Sequence, residues 1–513
     1  MTKELICILI AILAYLTLMI MVGLYYSKKS KDATANEFYL GGRQLGPIVT
    51  AMSAEASDMS SWLLMGLPGL AYIYGIAEAS WTAIGLAIGT YVNWLIIARR
   101  LRRYTLITGD CVTIPEFFSR RYRDHKRILN FIASAVIIVF FVPYTASGFS
   151  AVGKLFESLF GLDYHIAMIV GAIIIVGYTV LGGFLAVSTT DLIQSIVMSI
   201  ALFIILCFGV NVAGGLDVVM ENASALPDYL SMTHSYDGAG GSTPYSTLSI
   251  ASTLAWGLGY FGMPHILLRF MAIRDEKEIA TSRRIATVWV IISMAVAIFI
   301  GIVGYSVSLS GNIPTFTNTT ESETLIIQLS SLLANNGVLL ALVAGVVLAG
   351  ILACTMSTAD SQLLTAASSV SENLLQECFK IKLSPKKSLL VARLTVIAIA
   401  LIGMVVAWDK DSSVFSIVSF AWAGFGASFG GVMLMALVWK RSNKYGAIAG
   451  MISGSLMVFI WKYGVAQLGG IFTIYELLPA FLTSILFIVV VSLLTGDPEQ
   501  EIQDEFDQML KKA

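Results

Sequence analysis

The chain is short of charge. Only 13% of its 513 residues are Asp, Glu, Lys or Arg, while 57% are hydrophobic. That balance excludes an ordinary soluble globular protein and indicates a polytopic membrane protein. A formal net charge of -1 leaves no basic surplus, so no nucleic acid is expected as a partner. Cysteine pairing is missing too. Cys7, Cys111, Cys207, Cys354 and Cys378 are scattered in or beside apolar runs with no CxxC spacing, which argues against disulfides and metal clusters. No glycine-rich phosphate loop with its Lys occurs, and no loop is long enough for a kinase, hydrolase or nucleotide-binding domain. An enzyme is therefore not expected, and nothing calls for an obligate protein partner. No small-residue cleavage site follows the first apolar run. Ser27, Lys28 and Lys29 come next, so that run reads as a retained span.

Long apolar runs fill the space that charge leaves. They fall near 4–26, 46–72, 77–98, 128–153, 165–185, 190–212, 247–270, 285–309, 337–370, 389–408, 414–438, 445–464 and 473–494. Each is long enough to cross a bilayer, which predicts an all-α protein of about thirteen transmembrane helices. The loops alternate in charge. Lys28, Lys29, Lys31 and Arg43 follow the first run, and a cluster from Arg99 to Arg127 follows the third. Arg274, Lys277, Arg283 and Arg284 follow the seventh, Lys380 to Lys387 the ninth, and Lys440, Arg441 and Lys444 the eleventh. The loops at 211–246 and 310–336 carry no Lys or Arg. The positive-inside rule then places the amino terminus outside and the carboxyl terminus inside. Residues 1–495 form one transporter domain, and 496–513 a short cytoplasmic tail. Ile502, Phe506 and Met509 recur at helical spacing there, predicting one amphipathic helix on the protein or membrane surface.

One run contains a carboxylate. Asp58 lies in GPIVTAMSAEASDMSSWLLMGLPGLAY (46–72), with no basic residue along that helix to neutralise it. A charge in mid-membrane costs about 3 kcal/mol or more, so such residues mark ion or substrate paths. The small and hydroxyl residues around it suit an interrupted helix whose free carbonyls face a cavity. In LAGILACTMSTADSQL (348–363), Ser357 and Thr358 lie three and four residues beyond Cys354. On a helix that spacing places both hydroxyls over the Cys354 carbonyl. Alone, they read as back-bonded hydroxyls in a packed helix. Joined to carbonyls near Ala56 and Met59, they make an oxygen-only site for a small hard cation, and Na⁺ fits better than a transition metal.

A second interruption is expected in AWGLGYFGMPHILLRFM (255–271), where Gly257, Gly259, Gly262 and Pro264 weaken the helix. Trp256 and Tyr260 are four apart and can face one cavity suited to a small amphipathic ligand. An aromatic packing stripe is the plainer alternative. Two interrupted helices five runs apart are the mark of inverted-repeat secondary transporters. The repeats are then 46–212 and 247–438, with an extra helix at 4–26 and two more at 445–494.

These residues also carry a resemblance. YLGGRQLGP (39–47), ASDMSSWLLMGLPG (56–69), ASGFSAVGKLFES (146–158), GGFLAVSTTD (182–191), WGLGYFGMPHIL (256–267), MSTADSQLL (356–364) and AWAGFGASFG (421–430) are similar to the sodium:solute symporter family, and within it to the bacterial proline-transporting branch. The resemblance covers nearly the whole chain. It implies a leucine-transporter-like 5+5 inverted-repeat fold in the bacterial cytoplasmic membrane, and Na⁺-coupled import of L-proline by alternating access. It implies a Na⁺ site at Ala56, Met59, Cys354, Ser357 and Thr358, with Asp58 as the essential acid beside it. It also implies a proline pocket of Ser60, Tyr144, Trp256, Tyr260 and Pro264. Another small solute (a sugar, pantothenate, sialic acid or an anion) is the alternative within the class. A membrane-embedded sensor and a channel are the alternatives outside it. Four positions depart from the family pattern. Cys354 replaces a smaller residue but contributes only its carbonyl, and Ser61, close to the pocket, stands where a glycine is usual. Glu55 stands where a small residue is usual and is expected to face a water-filled vestibule. Asp360 stands where a hydroxyl is common, and with Asp191 and Ser361 can build or spoil a second cation site.

Overall fold

The computed structural model describes residues 2–29, 35–180 and 183–511. Lys31 of the first basic loop and Gly182 of the GGFLAVSTTD stretch lie outside the described residues. Among those described, ten helices are long and apolar enough to cross a membrane, and they correspond to ten of the thirteen expected runs. The other three are shorter pieces. Run 165–185 overlaps the helix Tyr164–Thr179. Runs 46–72 and 247–270 are the two segments expected to be interrupted, and both are.

Several helices extend past their apolar windows. The third run was expected to end at 98, yet the helical path continues to Ile107 through the arginine-rich Arg99–Ile107. Apolar length marks the hydrocarbon, whereas a helix continues as long as its backbone bonds are satisfied.

The basic loops gather on one face. Arg43, after the first run, pairs with Asp110, after the third, at 2.8 Å. It also donates to the Met271 carbonyl at the end of the seventh. Arg103 pairs with Glu276, and Arg127 with Glu377. The terminal helix Gln500–Leu510 lies across this face with Ile502, Phe506 and Met509 buried, as the apolar stripe predicts. Its acids reach Arg123, through Glu501 and Glu505, and Lys440, through Asp507. Loops after the first, third, seventh, ninth and eleventh runs thus meet at one end of the bundle.

The interrupted helices occupy the centre. The first is Pro47–Ser61, a wider turn Trp62–Gly66 and then Leu67–Tyr74. It is buried at every position from Thr50 to Ile73. It packs against the Val338–Ser368, Phe184–Val212, Ile279–Leu309 and Pro264–Ala272 helices. The second is Thr247–Leu254, a 3-10 stretch Ala255–Gly262, an extended Met263 and then Pro264–Ala272. Its glycines do more than weaken a helix. A Cβ on Gly257 would sit 2.2 Å from the Gly85 carbonyl oxygen, and one on Gly262 2.2 Å from that of Phe425. Backbone packs on backbone there, which only glycine permits.

Candidate ion and solute site

Ser60 breaks the first central helix. Its φ of 41° and ψ of -171° are costly for any residue with a side chain. The Ser60 hydroxyl accepts the Trp62 N–H at 3.2 Å, and the chain resumes its helical path from Trp62. The break lies just past the Ala56–Met59 turn on which the expected ion site depends.

The expected oxygens meet between two helices. The Ser357 hydroxyl donates to the Ala56 carbonyl at 2.8 Å and lies 3.1 Å from the Cys354 carbonyl. The Thr358 hydroxyl lies 3.1 Å from the same Cys354 oxygen. Four of the five expected oxygens therefore meet. The fifth, the Met59 carbonyl, accepts the Trp62 N–H and retains a second lone pair. Buried carbonyls and hydroxyls with nothing softer among them suit a hard monovalent ion.

Asp58 stands beside this group. One carboxylate oxygen accepts the Tyr260 phenol at 2.5 Å, and the Asp58 carbonyl accepts the Tyr144 phenol at 3.2 Å. Asp58 forms no ion pair with any described residue. The buried Arg269 pairs with Asp191 instead. The bond from Tyr260 ties the two interrupted helices together through the charge in the centre of the protein.

A small cavity opens on Asp58, Met59, Tyr144 and Trp256, and is completed by Trp62, Leu86, Val418 and Trp422. The Trp62 and Trp256 rings lie 5.8 Å apart, and Trp422 donates to the Trp256 carbonyl at 2.8 Å. As packed, the cavity measures about 10 Å³, the room of a single water. Anything larger than a water fits there only if these rings separate. Of the expected solute residues, Tyr144 and Trp256 line the cavity, Tyr260 reaches it through Asp58, and Ser60 forms the break. Pro264 is not among the lining residues; it opens the helix that follows the second break.

Trp62 and Trp422 are not among the residues that the sequence singles out for the solute. Trp62 lies four residues after Asp58, on the same helical face by spacing, so the signal was available. Trp422 sits in the AWAGFG stretch, where only the tertiary fold shows which way its ring turns.

One acid is placed differently from expectation. Glu55 does not face a water-filled vestibule. It is buried, and accepts the Trp94 indole N–H at 3.1 Å. The side chain is long enough to cross to the neighbouring helix, where the indole offers a donor. Asp191 and Ser361 come together around the fully buried guanidinium of Arg269, and the Ser361 hydroxyl lies 3.4 Å from the Asp360 carboxylate. Arg269 lies 3.0 Å from Asp191 and donates to Ser361 at 2.6 Å and to Ser53 at 3.0 Å. A resident cation thus already holds the Asp191 and Ser361 oxygens. An arginine in a membrane run is itself costly and flags such a site.

A model of the sodium:solute symporter family matches residues 38–454. The chain is 41% identical over 490 residues to the high-affinity proline transporter PutP of Bacillus subtilis, covering 95% of this chain and 98% of that one. It is 40% identical over 506 residues to sodium/proline symporter 2 of Staphylococcus saprophyticus, covering 98% and 95%. Among solved structures, a Na⁺-coupled sialic acid symporter in a substrate-bound outward-open state superposes with a TM-score of 0.78 at 19% identity, covering 96% of this chain and 98% of that one. MhsT in complex with L-phenylalanine superposes with a TM-score of 0.55 at 11% identity, covering 88% and 99%. At such identities these two likenesses speak for the fold, a leucine-transporter-like helical bundle.

Proposed function

The chain belongs to the sodium:solute symporter family, and from that premise we propose that it imports L-proline together with Na⁺ by alternating access. It acts as a carrier rather than an enzyme, with the bilayer as its solvent. The observation that bears most of this reading is the meeting of the Ser357 hydroxyl with the Ala56 carbonyl. It joins an intact helix to an interrupted one through oxygen atoms alone. The near-full-length similarity to proline transporters supplies the choice of solute.

Na⁺ is bound by the carbonyls of Ala56, Met59 and Cys354 and the hydroxyls of Ser357 and Thr358, with Asp58 balancing its charge. Both hydroxyls now donate to carbonyls, and on ion binding they turn their lone pairs to the metal. Binding ties the Asp58 helix to the Val338–Cys378 helix, and Tyr260 on Asp58 carries that order to the second interrupted helix. Proline lies against Trp256 and Tyr144 at the Ser60 break, with Pro264 shaping the second interruption. By linkage, Na⁺ and proline raise each other's affinity by one factor. The two repeats, 46–212 and 247–438, then rock about the site. With the basic-loop face in the cytoplasm and the amino terminus outside, membrane potential favours inward Na⁺ by about 2.3 kcal/mol per 100 mV.

Radiolabelled proline uptake into proteoliposomes tests the reading. Uptake is expected only with an inward sodium gradient, and excess unlabelled proline is expected to suppress it. Uptake that ignores sodium, or that unlabelled proline does not compete, overturns the proposal.

Single substitutions separate the two ligands. Thr358→Ala removes one neutral ligand from the ion and is expected to raise the sodium concentration for half-maximal uptake by about tenfold. Sodium titration at fixed proline reads it, and an unchanged half-maximum would remove Thr358 from the site. Trp256→Ala removes an aromatic wall and is expected to raise the KM for proline by about tenfold. Its sodium half-maximum, measured at saturating proline, is expected to shift far less. Equal shifts in both would make Trp256 a packing residue.

A further inference from the structure

The Ile279–Leu309 helix bears a groove on its outer side. About 640 Å³ of space lies between it and the Phe184–Val212 helix. Its walls are apolar, with Leu202, Phe203, Val288, Ile292 and Val296 along them. Among the described residues, the one charged side chain in its lining is Arg284. Arg284 is exposed and takes part in no ion pair or side-chain hydrogen bond with the described residues. Its neighbour Arg283 turns away and lies over the Tyr91 ring at 5.1 Å.

The dimensions indicate what fits. Arg284 is five residues into its helix and Val296 is twelve further on, a rise of about 18 Å. One leaflet contributes about half of a hydrocarbon core of about 30 Å. The groove therefore runs the depth of a single leaflet, with its charge at the surface end and its apolar end near the midplane. That end of the helix belongs to the basic-loop face. Basic pockets between membrane helices on such a face recognise anionic head groups.

We propose that this groove seats one anionic phospholipid of that leaflet, its phosphate on Arg284 and an acyl chain along Val288, Ile292 and Val296. The site adjoins the transport machinery. Met52, on the first interrupted helix two turns before the Ser60 break, also lines the groove. A lipid seated there touches an element that the transport cycle has to move.

The test uses the full-length purified protein and needs no transported solute, so it stands or falls apart from the proline reading. Native mass spectrometry compares retention of phosphatidylglycerol and phosphatidylcholine after equal exposure to each. Wild type is expected to retain phosphatidylglycerol about fivefold better, the effect of one basic contact. Arg284→Gln is expected to remove that preference, whereas Arg274→Gln, at an exposed residue paired with Glu278, keeps it. Val288→Trp fills the groove at a lipid-facing position and is expected to lower phosphatidylglycerol retention despite an intact Arg284. Equal retention of the two lipids by wild type overturns the proposal. So does a preference that survives Arg284→Gln, or one that Val288→Trp leaves untouched.

Discussion

Asp58→Asn is expected to abolish sodium-driven proline uptake while leaving the protein folded and inserted. The amide has nearly the shape of the carboxylate, and its oxygen can still accept the Tyr260 phenol that now bonds to Asp58. What it lacks is charge. A carboxylate and a sodium ion a few ångströms apart attract by roughly 3–4 kcal/mol at an effective dielectric near 20. Losing that term lowers ion affinity by roughly several hundredfold, since each 1.4 kcal/mol is a factor of ten. The remaining ligands are neutral, so none compensates. Uptake into proteoliposomes at low and at saturating sodium reads the result, with yield and a single sharp elution peak as the control for folding. Normal transport by Asp58→Asn at low sodium would remove Asp58 from the coupling machinery.

Lys154→Met is expected to be the most damaging change away from the ion. Lys154 pairs with Glu323 at 2.6 Å, and both are almost completely buried. Lys154 also donates to the Ser412 carbonyl at 2.9 Å. The other Glu323 oxygen accepts the Ser413 hydroxyl at 2.8 Å and the Phe415 N–H at 3.1 Å. Three separate stretches of chain meet at this pair. Phe415 then carries the contact inward, with its ring 5.6 Å from Trp256 and 6.1 Å from Trp62. Removing the lysine leaves a buried carboxylate without a counter-charge, which costs about 3–5 kcal/mol. Thermal unfolding in detergent is expected to shift down by several degrees, with a matching rise in the KM for proline. The double change Lys154→Met with Glu323→Gln removes both charges and is expected to recover most of the loss. Equal melting of the single variant and wild type would show that the pair contributes little.

The membrane fold was largely legible because the bilayer enforces it. Apolar runs of spanning length and alternating loop charge leave few other arrangements. The breaks were legible from local chemistry, since the glycines near Trp256 and the hydroxyls near Asp58 make poor continuous helix. The position of the first break at Ser60 was not, because its backbone angles follow from packing on every side. Cys354, Ser357 and Thr358 could be grouped by helical spacing, which is a one-dimensional rule. Contacts between distant elements left no such trace. Glu55 meets Trp94, Arg269 meets Asp191 and Ser361, and Trp422 meets Trp256 only once the bundle is assembled. Polar side chains on buried helices take whichever partner the neighbour presents, and a sequence does not state which neighbour that is.

The terminal helix has a practical corollary for anyone who shortens the chain. Cutting after Thr495 discards six acids and two lysines, and moves the formal charge from -1 to +3. It strands Arg123, Lys440 and Arg441, whose acidic partners all lie beyond the cut. It also strips Phe506 from the Tyr104 ring. A trimmed carrier would cling to negatively charged vesicles through its newly bared arginines, and that adhesion would imitate selective lipid capture.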